Sequence, residues 1–171
     1  ARDLFYDALV ASDNAAIISL VNLTGLTEEQ FVDKMNQRAV SMGLVETVFN
    51  DPTGLSTGNV STAAEVAVFA RQAFLQPDIR EAVLTKSYEL TLLPETKRRI
   101  YSTDDLLGGD LGEIEIVGGK TGYVDKAGYC FVGNFTKDHE EVISVVLGAP
   151  TIKARFAETA KILNWHFKSS P

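Results

Sequence analysis

The stretch "VASDNAA", Val10–Ala16, sets a serine, an aspartate and an asparagine between two apolar runs with helical spacing. Before it, Leu4, Phe5, Ala8 and Leu9 recur on one face; after it, the run to Leu23 is apolar with few interruptions. Three small polar side chains at such a break read first as a turn and a cap, because their oxygens accept from the backbone N–H groups that open a helix. The same trio also presents a hydroxyl and a carbamoyl group two positions apart on a helical bend, which suits half of an active site. Which reading holds depends on what the rest of the chain brings to this bend.

Working outward, Arg2 to Leu23 reads as two helical segments parted by Ser12-Asp13-Asn14. Thr27-Glu28-Glu29-Gln30 has the spacing of a capping box, and a third helix should run from there to Ser41 with Gly43 as its stop. "FNDPTGLSTGNVST" is dense in residues that satisfy their own backbone or allow positive φ, which predicts an ordered loop. Thr62 to Glu65 then opens a helix through Val66, Phe69, Ala70, Ala73 and Phe74 that ends before Pro77. Beyond Ser87 the period becomes two. "YELTLLP" and "KRRIYS" read as a strand pair on the rim, and "GEIEIVGGKTG", "GYCFVGNFT" and "EEVISVVLG" as longer strands. Lys137 to Glu140 turns the last two into a hairpin. From Ile152 to Lys168, Phe156, Ala160, Leu163 and Phe167 return to one helical face. Helices, then an antiparallel sheet, then a closing helix is an α+β layout in one domain over 1–171.

The 171 residues are 45% hydrophobic, enough for a real core, and carry a formal charge of -7. That charge and a pI near 4.8 argue against a nucleic-acid partner, since the longest basic block is Lys97-Arg98-Arg99 on a strand. No apolar run approaches the roughly 20 residues that span a bilayer. The one cysteine, Cys130, forms no internal disulfide and no zinc pattern, and reads as a small buried hydrophobe. His139 in a polar hairpin and His166 on an amphipathic helix read as structural, so neither a metal nor a cofactor is expected. Glu113 and Glu115 alternate with Ile114 and Ile116 as a solvated strand face.

The stretch that answers the opening question is "GGKTGYVDKAGYC", Gly118–Cys130. Lys-Thr-Gly on a strand puts an ammonium and a hydroxyl close together, and the glycines let a ligand lie against the backbone. That arrangement suits a carboxylate. Ser-x-Asn is expected by chance in roughly a third to a half of chains this long and Lys-Thr-Gly in about one in twenty-five, so the pair is more informative than either motif.

Ser-Asp-Asn followed by Lys-Thr-Gly is the second and third part of the pattern of penicillin-binding proteins and class A β-lactamases. "LVASDNAA", "MGLVETVFNDPTGL", "STAAEVA", "GGKTGYVDKAGYCFV" and "TIKARFAETAKILNWHF" together resemble the low-molecular-mass D-alanyl-D-alanine carboxypeptidases over essentially the whole chain. The resemblance implies a three-layer α-β-α sandwich and a serine peptidase that trims peptidoglycan stem peptides ending in D-Ala-D-Ala and is acylated by β-lactams. It implies that Ser12 relays a proton to the leaving amine and that Asn14 binds the substrate amide. Lys120 and Thr121 are to hold the terminal carboxylate, with Gly122 beside them and Arg155 as a second cation, and the Tyr123 backbone N–H is to serve an oxyanion. It also implies an exported protein acting at the outer face of the cytoplasmic membrane.

The family's first motif, Ser-x-x-Lys, supplies the acylated serine and the lysine that activates it. No serine of this chain has a lysine three positions on: Ser12 meets Ala15, Ser41 meets Leu44, Ser61 meets Ala64, Ser87 meets Leu90 and Ser144 meets Leu147. The expectation is a chain truncated at its N-terminus, lacking the first strands and the start of the nucleophile helix, and inactive alone. Surfaces meant for the missing elements should then self-associate or accept that segment. Two rivals differ in testable ways: a class A β-lactamase needs a Glu-x-x-Leu-Asn loop, which is not found, and a non-catalytic peptidoglycan-binding module would have no Ser-x-x-Lys upstream.

Overall fold

The structure is a computed structural model that describes residues 1–93 and 96–169. The Pro94 at the end of the expected first rim strand lies outside the described residues. Helix α1 (Arg2–Val10) is followed after three residues by α2 (Asn14–Leu23), and α3 (Glu28–Ser41) carries the full capping box in which Thr27 and Gln30 satisfy each other's backbone. Gly43 takes φ +75° directly after that helix, a conformation that costs glycine little. The loop 44–62 leads into α4 (Ala63–Phe74), whose Glu65 N–H is capped by Thr62.

The sequence reading missed the next element. Pro77 does not merely stop α4; it occupies the first turn of a short helix α5 (Pro77–Val83). Proline's fixed φ and missing N–H suit that position, so one residue both ends a helix and opens the next. Strands β1 (Ser87–Leu93) and β2 (Thr96–Tyr101) form a two-stranded antiparallel sheet of their own. Its Leu90 and Ile100 cluster with Tyr6 and Val10 of α1 and Ala82 of α5, and the Tyr6 and Tyr88 rings stack at 4.1 Å.

After a single 3-10 turn (Asp105–Gly108), β3 (Glu115–Val124), β4 (Gly128–Lys137) and β5 (Glu140–Ala149) form a three-stranded antiparallel sheet in that order. The hairpin turn expected at 137–140 is present, with Asp138 and His139 at positive φ. Helix α6 (Ile152–Ser169) covers one face, where Phe131, Phe135, Phe156 and Leu163 are buried together. The other face receives α4 and α5, where Val132 packs on Ala70, Phe74 and Val83. The described chain is therefore α+β, with helices on both faces of an antiparallel sheet. Each large side chain so buried contributes about 1.5–3 kcal/mol relative to exposure. Cys130 departs from its expected burial and is only half-buried, near the open end of β4.

Candidate active site

The break between α1 and α2 is both a cap and a site. Asp13 is the capping residue, its Oδ1 accepting from Ala16 N–H at 2.9 Å. That frees Ser12, which sits at φ 58°, a left-handed conformation that costs a non-glycine residue about 1–2 kcal/mol. The strain is held from both sides: Asp13 N–H donates to Asp7 O at 3.2 Å, and Thr103 N–H to Val10 O at 3.2 Å. The bend thereby turns the Ser12 hydroxyl away from the helix axes and towards β3.

On β3 the two glycines before Lys120 let other elements come close. A Cβ on Gly118 would lie 2.8 Å from the Phe74 ring, and one on Gly119 would overlap Asp104 Oδ2. Successive side chains leave opposite faces of a strand, so Lys120 points away from the side on which Gly119 meets Phe131 and Asp104. Its ammonium donates to Ser12 Oγ and, at 3.1 Å, to the carbonyl of Thr121. Thr121 Oγ1 lies 2.5 Å from Thr103 Oγ1, which is 3.5 Å from Ser12 Oγ. Three hydroxyls and an ammonium are thus joined across three separate parts of the chain.

Burial pushes the Lys120 ammonium down to about 8, the nearby Arg155 cation pushes the same way, and Asp104 opposes both. A lysine that titrates there can serve as a cation or give up a proton near neutral pH. β3 is an edge strand among the described residues, so half of its backbone groups are outside the ladder and open to an extended ligand.

Lys120 also reaches a cavity of about 580 Å³ lined by Phe31, Met35, Phe49, Asp51, Thr53 and Phe69. Asp51 and Thr53 form a second, shallower groove with Asn14, Ala15 and Ile18, so Asn14 stands across that loop wall from Lys120. The wall is rigid because Asp51 accepts from the backbone of Thr53, Gly54 and Ser56 and from the Asn59 amide at 2.6, 2.8, 2.6 and 2.9 Å.

Gly122 and Tyr123 continue β3 as exposed positions. The Tyr123 ring stacks on Tyr129 at 4.3 Å and its hydroxyl donates to Asp125, which foremost pushes its ionisation up to about 12. Arg155 is not at the open surface: it is 5% exposed, beneath the strand, with its guanidinium 4.7 Å from the centre of the Phe156 ring. Its two Nη groups donate to the carbonyls of Gly122 and Thr103 at 3.5 and 3.4 Å. The structure brings together Ser12, Lys120 and Thr121 by direct contact, and attaches Arg155 to the backbone of the same strand.

Sequence reasoning missed Thr103 and Asp104. "STDD" reads as an ordinary turn, and Asp104 does cap the 3-10 turn by accepting from Leu106 N–H at 2.9 Å. Only the packing of that turn against β3 reveals that its hydroxyl and its carboxylate flank the site.

Comparison with known proteins adds an independent line. The family described as D-alanyl-D-alanine carboxypeptidase matches residues 1–151. The D-alanyl-D-alanine carboxypeptidase DacF of Bacillus subtilis is 32% identical over 169 residues, 97% of this chain and 42% of that protein. A D-alanyl-D-alanine carboxypeptidase structure from Mycobacterium tuberculosis superposes with a TM-score of 0.88 at 26% identity, covering 99% of this chain and 65% of the other. A penicillin-binding protein from Listeria monocytogenes in its cefotaxime-bound form gives 0.83 at 30% identity, over 96% and 65%. The chain thus spans less than half the length of the curated relative and about two thirds of each solved one.

Proposed function

Because the chain belongs to the D-alanyl-D-alanine carboxypeptidase family, we propose that its cleft holds the D-alanyl end of a peptidoglycan stem peptide for serine-type hydrolysis, and that β-lactams occupy the same place. The observation that carries this reading is the hydrogen bond from Lys120 Nζ to Ser12 Oγ, with Thr103 linking Ser12 to Thr121. The bound cefotaxime of the Listeria relative supports the β-lactam part.

In this reading Lys120 and Thr121 grip the terminal carboxylate, the first by charge and the second by its hydroxyl. Arg155, fixed under Gly122, adds positive potential to that end of β3. Ser12 both accepts from Lys120 and can donate, so it passes a proton to the departing D-alanine amine. Asn14 binds the peptide amide, and the Tyr123 N–H stabilises the oxyanion of the tetrahedral intermediate.

The acyl-accepting serine is placed outside these 171 residues, since none of their serines has a lysine three positions on. The edges of β3 and β5, open among the described residues, fit complementation by a segment bearing that pair, or self-association without it. Because the substrate is cell-wall material, the protein is assigned to the outer face of the cytoplasmic membrane. No helix among the described residues is long and apolar enough to cross a membrane.

Mass spectrometry after incubation with penicillin tests the reading. The 171-residue chain alone should take up none, and the protein that also carries a Ser-x-x-Lys segment should take up one equivalent and release D-alanine from a D-Ala-D-Ala peptide. A stoichiometric acyl-serine on this chain alone, or no D-alanine from the larger protein, contradicts it.

A further inference from the structure

Two cations share the site without a close counter-charge. Neither Lys120 nor Arg155 has a carboxylate within ion-pair distance among the described residues. One carboxylate nonetheless lies buried beside them. Asp104 is 5% exposed, its Oδ1 caps Leu106 N–H, and its Oδ2 is fully buried with no hydrogen-bond partner among the described residues. That unpartnered oxygen occupies the space above Gly119, the residue before Lys120, on the opposite face of β3.

We propose that Asp104 is a positioning residue for the site: its carboxylate, seated against Gly119, supplies the negative charge that keeps the Lys120 ammonium charged and facing Ser12. An unpaired carboxylate oxygen is costly to bury, so its retention at this point calls for an electrostatic compensation. Burial raises the Asp104 carboxyl, and the attraction of Arg155 and Lys120 offsets part of that cost. The charged and titratable groups around Asp104 are Lys120 on β3, Arg155 on α6 and Asp105 on its own turn, with Tyr129 and Cys130 of β4 nearest Arg155. Of these only Asp104 and Asp105 bring negative charge, and Asp104 is the one whose attraction opposes the loss of the Lys120 proton.

The glycine and the carboxylate form one unit in this account. Gly119 has no side chain because Asp104 Oδ2 takes its place, and Asp104 is within range of the lysine because Gly119 lets it approach. Asp104 also follows Thr103, whose hydroxyl bridges Ser12 and Thr121 and whose carbonyl accepts from Arg155. A single turn thereby sets the hydroxyl and the charge of the cleft together.

The proposal rests on Lys120 belonging to the proposed cleft, but its test needs no turnover. In the 171-residue chain with 13C-labelled lysine, the Lys120 Cε resonance, assigned with Lys120→Arg, is followed against pH. The wild type should titrate at about 8. In Asp104→Asn the ratio of neutral to charged Lys120 at fixed pH should rise by about threefold or more, since a lost nearby charge lowers the midpoint by about half a pH unit or more. An unchanged midpoint in a folded Asp104→Asn chain overturns the proposal. If that variant does not fold, the wild type decides: the Lys120 signal should also respond to the ionisation of Asp104 near pH 6, and a signal flat from pH 5 to 7 overturns it equally. Failure of the larger protein to release D-alanine bears on the proposed function and leaves this coupling intact.

Discussion

Lys120 Nζ donates to Ser12 Oγ across 108 residues of chain, joining a strained helical bend to the edge of a sheet. The two parts of the pattern that the sequence shows as separate tripeptides meet as one polar contact, and the chemistry predicted for the site follows from it.

Ser12 is under backbone strain, and the proposed function requires its hydroxyl there, so stability and activity should part company. Ser12→Gly should be more stable than Ser12→Ala by about 1 kcal/mol, since only glycine adopts φ 58° freely. Both should slow acylation of the larger protein by a fluorescent penicillin by about 10²-fold or more, the scale of a lost proton relay. Urea midpoints and acylation rates measure the two effects. Equal stability of the two variants contradicts the strain, and an acylation rate within a few-fold of wild type contradicts the relay.

Gly119→Ala should destabilise the chain by about 2–3 kcal/mol, because the new Cβ overlaps Asp104 Oδ2 and presses at 3.2 and 3.3 Å on Phe131 and Ile116. Gly108→Ala, with open space around its Cβ, should lie within about 0.5 kcal/mol of wild type. Thermal unfolding of the pair checks both. Similar costs at the two positions contradict the close approach.

Asp104 makes stability depend on pH with a defined sign. In the folded chain its carboxyl is raised by burial from an ordinary 3.8 to about 6. The folded state therefore holds the proton more tightly, so this group's contribution is full below about pH 4 and is lost as pH rises through 6. The displacement corresponds to about 3 kcal/mol. Relative to wild type, Asp104→Asn should gain up to that amount between pH 4 and pH 7 in parallel denaturant titrations. A gap independent of pH contradicts the assignment.

Asp51 has the opposite sign. Burial alone would raise its carboxyl, but hydrogen bonds from the Thr53 hydroxyl and the backbone of Ser56, Thr53 and Gly54 together outweigh it and hold it below 3.8. Its contribution is present above that value and is lost as pH falls through the lower folded one. Asp51→Ala should cost about 2–3 kcal/mol at pH 7, where several donors lose a charged acceptor, and markedly less in strong acid. Urea unfolding at the two pH values measures the difference.

Much of the architecture was legible because its signals are local. Thr27 and Gln30 announce their capping box, Gly43 its turn, and the change of period beyond Ser87 the sheet. Ser12, Lys120 and Thr121 were legible only as a pair of tripeptides, since no local rule says that they touch. The remainder was hidden for physical reasons. Pro77 carries two meanings, stop and start, and only one was read. Thr103 and Asp104 wear the chemistry of a turn, and their role arises from packing under Gly119. Arg155 was expected to add a second cation to the ligand carboxylate on the strength of the family resemblance, and no local signal says how it reaches the strand. Its aromatic neighbours Phe156 and Tyr129 and the carbonyls of Gly122 and Thr103 hold it beneath the strand.

The central claim is that the bend at Ser12 and the edge at Lys120 form one carboxylate-gripping cleft, and amide NMR of this chain with a short peptide ending in D-Ala-D-Ala tests it most directly. The account predicts shifts at Ser12, Asn14, Lys120, Thr121, Gly122 and Tyr123 that vanish when the peptide's terminal carboxylate is amidated or Lys120 is changed to Gln. Shifts that persist in both controls, or that fall elsewhere on the chain, contradict it.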